Sequence, residues 1–290
     1  MLKCDEKEDK KMKRILTVQD ISCVGRCSLT VALPIISAAG VEAAILPTAV
    51  LSTHTQFSSF TFCDLTPEIE KISLEFDKHG LTFDAIYTGY LGSFEQLSLV
   101  SELFDRNRGE GCKIVIDPVM ADNGVLYKGF TEEFAGEMAK LCTKADLIIP
   151  NLTEASFMLG VPYNPNYDEA YIRSLLKSLC SLGTKEAAIS GISFDKSKLG
   201  VYSYNSETDE YFYYCNDYLP VAYHGTGDIF ASSVVGALMR GHSTASALKC
   251  AVDFTLECIK ATMADEDRRV YGVNFEQALA YYISRLENKD

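Results

Sequence analysis

The run His224-Gly225-Thr226-Gly227-Asp228 is the segment of this sequence whose residue types and spacing best suit chemistry. It lies directly ahead of an apolar stretch, residues 229–238, that has helical periodicity. Glycines leave backbone N–H groups uncovered, and at the start of a helix these groups and the helix dipole favour a bound anion. Asp228 beside such a site could act as a general base for phosphoryl transfer, although an Asp there can also be a plain helix cap.

Two further segments combine carboxylates with residues typical of turns or helix starts. Asp117 and Asp122 stand five residues apart in the run Asp117-Pro118-Val119-Met120-Ala121-Asp122, and Glu154 closes the run Asn151-Leu152-Thr153-Glu154. A carboxylate beside a strand end can hold Mg²⁺ through the waters that this ion usually keeps. Ordinary turn chemistry explains the first segment equally well, and the helix dipole explains Glu154.

The elements that must position these residues alternate along the chain between short β-branched runs and longer segments of helical period. Strands are predicted at 15–18, 43–46, 84–87, 113–116, 146–149 and 186–189, and an antiparallel hairpin at 199–204 and 210–215. Helices are predicted at 28–39, 95–108, 131–141 and 168–182, with others beginning near 64, 153, 228, 243 and 275. This alternation predicts an α/β fold with a mostly parallel sheet covered by helices on both faces.

Domain organisation follows from the absence of a Pro/Gly/Ser-rich linker or a break in composition. We therefore expect one domain over residues 14–290, preceded by a charged tail at 1–13. Polar residues follow the predicted strands, and in such a sheet the carboxyl ends share one edge where ligands bind. Loops are polar in any case, so the pattern alone does not decide between a site and plain loops. These residues are Gln19, Asp20, Thr48, Thr88, Asp117, Asn151 and Ser190.

Composition excludes several classes of function. A net charge of −13 speaks against nucleic acid as a partner. No run of 18 apolar residues exists, so no membrane span is expected. The ten cysteines lack zinc-site spacing, which is typical of reduced thiols in a cytoplasmic protein. No Gly-x-x-x-x-Gly-Lys-Ser/Thr run is present, so a P-loop kinase is not supported.

Taken together, the motifs resemble those of ribokinase-like kinases, which have a three-layer α/β/α fold, and most closely those of vitamin B6 kinases. The resemblance extends from about Arg14 to the C-terminal helices. It rests on the segments 15–20, 52–57, 88–92, 117–122, 151–154 and 225–228. The resemblance implies that Asp228 is the catalytic base. It also implies that the backbone amides of Gly225, Thr226 and Gly227 stabilise the transferring phosphoryl group.

The same resemblance implies a set of ligand contacts. ATP would be bound by Asp117, Asn151, Ser190, Gly191, Thr226 and Gly227. Mg²⁺ would be held near Asp117, Asp122 and Glu154. Pyridoxal, pyridoxamine or pyridoxine would contact Asp20, Thr48, His54 and Tyr90, although His54 and Tyr90 could equally be structural residues. A homodimer is expected by the same resemblance, and the need for a monovalent cation such as K⁺ stays open.

Departures from the family pattern leave alternatives. Many B6 kinases carry Ser where this chain has Asp20; a carboxylate could favour the amine of pyridoxamine, and it puts the inherited contact in doubt. A hydroxymethylpyrimidine kinase shares the Asp117 and Gly225–Asp228 motifs. Such kinases usually have a Gly-rich first strand-to-helix segment, whereas here Gly25 is the one glycine between Asp20 and Ser28. A non-catalytic nucleotide- or B6-binding protein is a third reading, and the retained Asp228 speaks against it.

Overall fold

A nine-stranded sheet forms the centre of the computed structural model, which describes residues 12–288. Its strands are β1 (Arg14–Ser22), β2 (Glu42–Leu51), β3 (Phe62–Asp64), β4 (Phe83–Thr88), β5 (Arg108–Ile116), β8 (Leu147–Ile148), β9 (Glu186–Ile192), β10 (Lys198–Asn205) and β11 (Glu210–Asp217). A separate small hairpin consists of β6 (Ala121–Asp122) and β7 (Val125–Leu126). The sheet order is β11-β10-β9-β8-β5-β4-β1-β2-β3, and β3, β10 and β11 run antiparallel to their neighbours.

Helices cover both faces of this sheet. They are α1 (Leu29–Ala38), α2 (Thr66–Lys78), α3 (Phe94–Asn107), α4 (Glu132–Cys142), α5 (Leu152–Leu159), α6 (Glu169–Ser181), α7 (Thr226–Met239), α8 (Thr244–Ala264) and α9 (Leu279–Glu287). One apolar core joins the sheet to α2 through α6, and a second joins it to α1, α7, α8 and α9. The expected three-layer α/β/α arrangement is therefore confirmed, including the antiparallel hairpin of β10 and β11.

Capping residues explain why several helices begin one residue after their predicted starts. The side chains of Thr131 and Asp168 accept the N–H groups of Phe134 and Tyr171, so both residues are N-caps of α4 and α6. At the C-terminal end, a 3₁₀ turn at Phe275–Ala278 precedes α9, which begins later than predicted. None of the helices within residues 12–288 is long and apolar enough to cross a membrane.

Two strands of the sheet and the small separate hairpin differ clearly from the sequence prediction. Strand β2 continues beyond residue 46 to Leu51. The edge strand β3 pairs with the end of β2, and its three residues are too few to show a periodicity. The hairpin of β6 and β7 begins in the segment 117–122, for which turn chemistry was one of two interpretations, and ends beyond it. Residues 1–11 of the predicted charged tail lie outside the described residues, while Lys13 pairs with Asp84 at 2.6 Å.

Candidate active site

The carboxyl ends of the central strands bring four predicted site residues to one edge of the sheet. Asp20 lies in β1, and Thr88 ends β4, beside β1. Asp117 follows β5 directly, and its N–H donates to the Thr88 carbonyl at 3.0 Å. Thr48 lies within β2 rather than after it, because this strand runs on to Leu51. All four side chains are buried.

Three polar atoms at this edge are buried without a hydrogen-bond partner among the described residues. They are Gln19 Oε1, Thr48 Oγ1 and Thr88 Oγ1, on the neighbouring strands β1, β2 and β4. A buried polar group left unpaired costs about 1–3 kcal/mol, so folded proteins seldom leave one without cause. Their grouping distinguishes the ends of β1, β2 and β4 as a part of the described structure where buried polar atoms lack protein partners.

The tip of α7 carries the glycine-containing motif. Gly225 is the N-cap, with φ of +83°, and a Cβ at this position would lie 2.0 Å from the Arg26 carbonyl oxygen. Thr226 and Gly227 are the first two helical residues, and a Cβ on Gly227 would meet no described atom within 4 Å. Asp228 is the third helical residue, so the N-cap position belongs to Gly225 and not to Asp228.

The Asp228 carboxyl group has a pKa raised to about 7. Partial removal of this half-buried side chain from water is the main cause, the nearby Asp20 adds to it, and the backbone N–H of Ser28 opposes it. A general base works best when its pKa is close to the operating pH. The Asp228 carboxyl group therefore has the protonation behaviour that a general base requires near neutral pH.

The segment 117–124 is fastened to the first turn of α5 by three hydrogen bonds. Glu154 Oε1 accepts the Met120 N–H at 2.9 Å, and Thr153 Oγ1 accepts the Gly124 N–H at 2.9 Å. Asn151 Nδ2 donates to the Ala121 carbonyl at 2.7 Å. The other amide atom of Asn151 accepts the Glu154 N–H in a capping box, so the Asn151 side chain is occupied in holding this segment in place.

Buried carboxylates gather between this segment and α7. Burial first, and then Glu154 and Asp228, hold the pKa of Asp117 well above its usual value. Burial also raises the pKa of Glu154 to about 7, with Asp122 adding to the shift. No Lys or Arg is among the leading causes of the pKa shifts of these three described groups. A bound cation would favour the ionised forms of these carboxyl groups, and oxygen ligands of this kind suit Mg²⁺.

Direct ligation by protein alone is not indicated. Within the described part of the chain, no three His, Cys, Asp or Glu side chains stand close enough to hold a metal ion. Both Glu154 oxygens accept backbone N–H groups, from Met120 and Asn151. Asp122 is exposed and accepts the N–H of Asn123. A cation at this place would therefore complete its coordination with water and phosphate oxygens, as Mg²⁺ commonly does.

His54 lies close to His224, which precedes the glycine-containing tip of α7. His54 is buried, its Nδ1 accepts the Gln56 N–H at 3.2 Å, and its ring lies 5.2 Å from that of His224. Burial, and then His224, lower the pKa of His54. Tyr90 is half-buried, and burial and the nearby Asp20 raise its pKa. Asp20 is thus close enough to influence both Tyr90 and Asp228.

Ser190 and Gly191 lie at the same edge of the sheet, next to the first turn of α5. Ser190 forms an isolated parallel bridge with Asn151, and its N–H donates to the Pro150 carbonyl at 2.9 Å. Gly191 has φ of +72°, a left-handed conformation that favours glycine. Both residues belong to β9. Three strands, β8, β5 and β4, lie between β9 and β1, which carries Asp20.

Sequence reasoning missed Ser28 and Val119. Both have positive φ, 50° and 40°, which is rare for residues other than glycine and exceptional for a β-branched one. The backbone N–H of Ser28 lowers the pKa of Asp228, and that of Val119 lowers the pKa of Asp117. Strained backbone of this kind concentrates at functional sites. Nothing in either residue type signals the conformation.

Residues 32–271 match the family model described as phosphomethylpyrimidine kinase. The chain belongs to this family. A Bacteroides thetaiotaomicron protein, provisionally assigned to the phosphomethylpyrimidine kinases and crystallised with pyridoxal, is 41% identical, with 97% of each chain covered and a TM-score of 0.89. The pyridoxal kinase of Lactobacillus plantarum is 29% identical, covering 94% of this chain and 97% of that one, with a TM-score of 0.87. A pyridoxal kinase of Dictyostelium discoideum is 24% identical over 268 residues, 86% of this chain and 82% of the relative.

These similarities confirm the predicted relation to the vitamin B6 kinases of the ribokinase-like superfamily. The protein is a kinase, as predicted, and the alternative of a non-catalytic binding protein is not supported. The matched family is described by its phosphomethylpyrimidine kinases, so these kinases are relatives of the chain as well. The family match alone therefore does not distinguish a B6 vitamer from a pyrimidine as the acceptor.

Proposed function

We propose that this kinase transfers the γ-phosphoryl group of ATP to the 5′-hydroxymethyl group of pyridoxal, pyridoxamine or pyridoxine. The observation that carries the proposal is the Asp228 carboxyl group at the glycine-containing tip of α7. Its pKa is raised to about 7, and Asp20 of the neighbouring pocket contributes to this shift. Pyridoxal in the crystals of the Bacteroides relative, and the names of the pyridoxal kinase relatives, support the choice of acceptor.

The chemistry we propose is direct in-line transfer. Asp228 takes the proton of the acceptor hydroxyl as its oxygen attacks the γ-phosphorus, and the bond to the leaving ADP oxygen breaks. The backbone amides at Gly225–Asp228 face the charge that develops on the phosphoryl oxygens. Mg²⁺ bound near Asp117, Asp122 and Glu154 would supply charge neutralisation between the phosphates and these carboxylates.

Flat, polar acceptors suit the groups that line the strand ends. The unpaired hydroxyls of Thr48 and Thr88 can each donate or accept a hydrogen bond. Tyr90 supplies an aromatic ring close to the Asp20 carboxyl. An aromatic surface with a few convergent polar groups is typical of pockets that bind small heteroaromatic molecules.

The pH dependence of turnover tests the base. With a pKa of about 7, the Asp228 carboxyl is half protonated at neutral pH, and only its ionised form can accept a proton. We expect kcat/KM to fall about tenfold per pH unit below pH 7 and to level off above it, with a steeper fall if Glu154 must also be ionised. Steady-state rates at each pH, with circular dichroism to verify folding, measure this. A flat profile across this range would contradict the assignment.

Asp20 should set the preference among acceptors. A carboxylate can accept a charge-assisted hydrogen bond from the amine of pyridoxamine but not from the aldehyde of pyridoxal. In Asp20→Ser we expect the ratio of kcat/KM for pyridoxamine to that for pyridoxal to fall about tenfold. Asp20→Asn, which keeps the size of the side chain, should show the same direction. An unchanged ratio in both variants removes Asp20 from acceptor recognition.

A second candidate acceptor is hydroxymethylpyrimidine or its phosphate, which the family description favours. Parallel assays of the wild-type protein with ATP, the three B6 vitamers and hydroxymethylpyrimidine decide between the two. The main proposal requires kcat/KM to be highest for a B6 vitamer. Turnover of the pyrimidine alone overturns it.

We also propose that residues 14–290 act as one kinase domain and that the active form is a homodimer. Family resemblance supports both points. Analytical ultracentrifugation should give a mass close to twice the 32.0 kDa of one chain. A mass of a single chain at assay concentration would contradict the dimer.

A further inference from the structure

The Gln96 side chain ties together chain segments that are distant in sequence. It belongs to the first turn of α3 and is 4% exposed. Its Oε1 accepts the Gly92 N–H at 2.7 Å, and its Nε2 lies 2.9 Å from Thr66 Oγ1. The same Nε2 is 3.3 Å from the Thr48 carbonyl and 3.4 Å from Asp64 Oδ1. One buried amide group therefore reaches β2, the junction of β3 with α2, and the segment between β4 and α3.

Two of these partners belong to or adjoin the acceptor pocket, the name we give to the proposed acceptor contacts Asp20, Thr48, His54 and Tyr90. The ring of Tyr90 folds over Gly92 so closely that a Cβ on this glycine would lie 3.2 Å from the tyrosine hydroxyl. Thr48 carries one of the unpaired buried hydroxyls at the strand ends. Gln96 itself uses its amide atoms on protein groups. Its effect on a bound acceptor must therefore pass through Tyr90 and Thr48.

We infer that Gln96 is a positioning residue that sets the separation of Tyr90 and Thr48 across the acceptor pocket. This inference deepens the proposed function and rests on it. The Thr48 carbonyl keeps a second donor, the Leu65 N–H at 3.0 Å, so β2 stays anchored without Gln96. The Gly92 N–H has no second acceptor among the described residues. Loss of Gln96 should therefore release mainly the segment that carries Tyr90.

The test compares two buried amides of the same helix. In Gln96→Leu, we expect KM for the acceptor to rise about tenfold, while kcat and KM for ATP change less than about twofold. Asn107→Leu is the matched control. Asn107 ends α3, is 2% exposed and bonds to Ser73 Oγ at 2.7 Å, away from the strand ends that form the site. It should lower Tm and leave the acceptor KM unchanged.

A second variant keeps the test decisive if Gln96→Leu does not fold. Gln96→Glu retains an acceptor for the Gly92 N–H but places a carboxylate beside Asp64. We expect an intermediate acceptor KM with kcat unchanged. An acceptor KM equal to the wild-type value in the folded Gln96 variants overturns the inference. An equal rise in Asn107→Leu also overturns it, because the effect would then be general destabilisation.

The acceptor in these assays is whichever compound the wild-type kinase phosphorylates best. If that compound is hydroxymethylpyrimidine and no B6 vitamer is turned over, the proposed function fails. The comparison of Gln96 with Asn107 still applies to the pyrimidine. If a B6 vitamer is turned over and the Gln96 variants keep its KM, the positioning role fails alone.

Discussion

Replacing Asp228 with Asn is expected to lower kcat by about 10²–10⁴, because the amide cannot accept the proton of the acceptor hydroxyl. The substitution keeps the size of the side chain at the third position of α7, so the helix and its glycine-containing tip should stay folded. KM for ATP should change little. Steady-state rates, Tm and the binding of a non-hydrolysable ATP analogue measure these three quantities.

A matched control for this substitution lies at another helix start. Asp168 caps α6 with its carboxyl oxygen, and Asn is an equally good N-cap. Asp168→Asn removes a negative charge at a helix N-terminus without touching the site, and it should turn over at the wild-type rate. A wild-type kcat in Asp228→Asn would show that another group accepts the proton.

Replacing Gly225 with Ala is expected to remove most turnover and to destabilise the fold. The residue has φ of +83°, and a new Cβ would lie 2.0 Å from the Arg26 carbonyl oxygen. Either α7 or the segment between β1 and α1 must move, at a cost of about 2 kcal/mol or more. That segment carries Ser28, whose N–H reaches Asp228, so the displacement also disturbs the base.

Gly227→Ala separates the steric effect from the mere addition of a methyl group. A Cβ at Gly227 meets no described atom within 4 Å, and the residue is helical, so Tm should stay close to the wild-type value. Thermal melts of both variants, with initial rates, measure the difference. An unchanged Tm in Gly225→Ala would mean that the contact with Arg26 does not constrain the tip.

How far the sequence predicts this molecule depends on whether the signal is local. Periodicity predicted the alternating strands and helices, and the glycine pair predicted that Asp228 would stand at a helix tip. Periodicity did not predict β3, because its three residues are too few to show a pattern and pair with the end of another strand, β2. For the same reason Thr48 was expected at a strand end, whereas its strand continues to Leu51.

Within the candidate site, residue types were easier to predict than hydrogen-bond partners. The resemblance implies a contact between Asn151 and ATP, and the structure adds that its amide atoms form the capping box of α5 and bond to the Ala121 carbonyl. The motif that suggested a ligand contact also encodes a helix start, and sequence alone cannot separate the two. The positive φ of Val119 is imposed by the tertiary setting of its segment, against the preference of a β-branched side chain.

The groups proposed to act in the reaction are distributed over the two helical layers. The proposed base and the glycine-containing tip belong to α7, which lies in the layer with α1 and α8. The segment 117–124, near which we propose Mg²⁺, is bonded to α5, and the Tyr90 segment adjoins α3. Both of these helices lie on the opposite face of the sheet. Substitutions around α3 can therefore reshape the Tyr90 side of the acceptor site while α7, which carries the proposed base, stays in place. Acceptor preference and proton transfer would then respond to substitutions on opposite faces of the sheet.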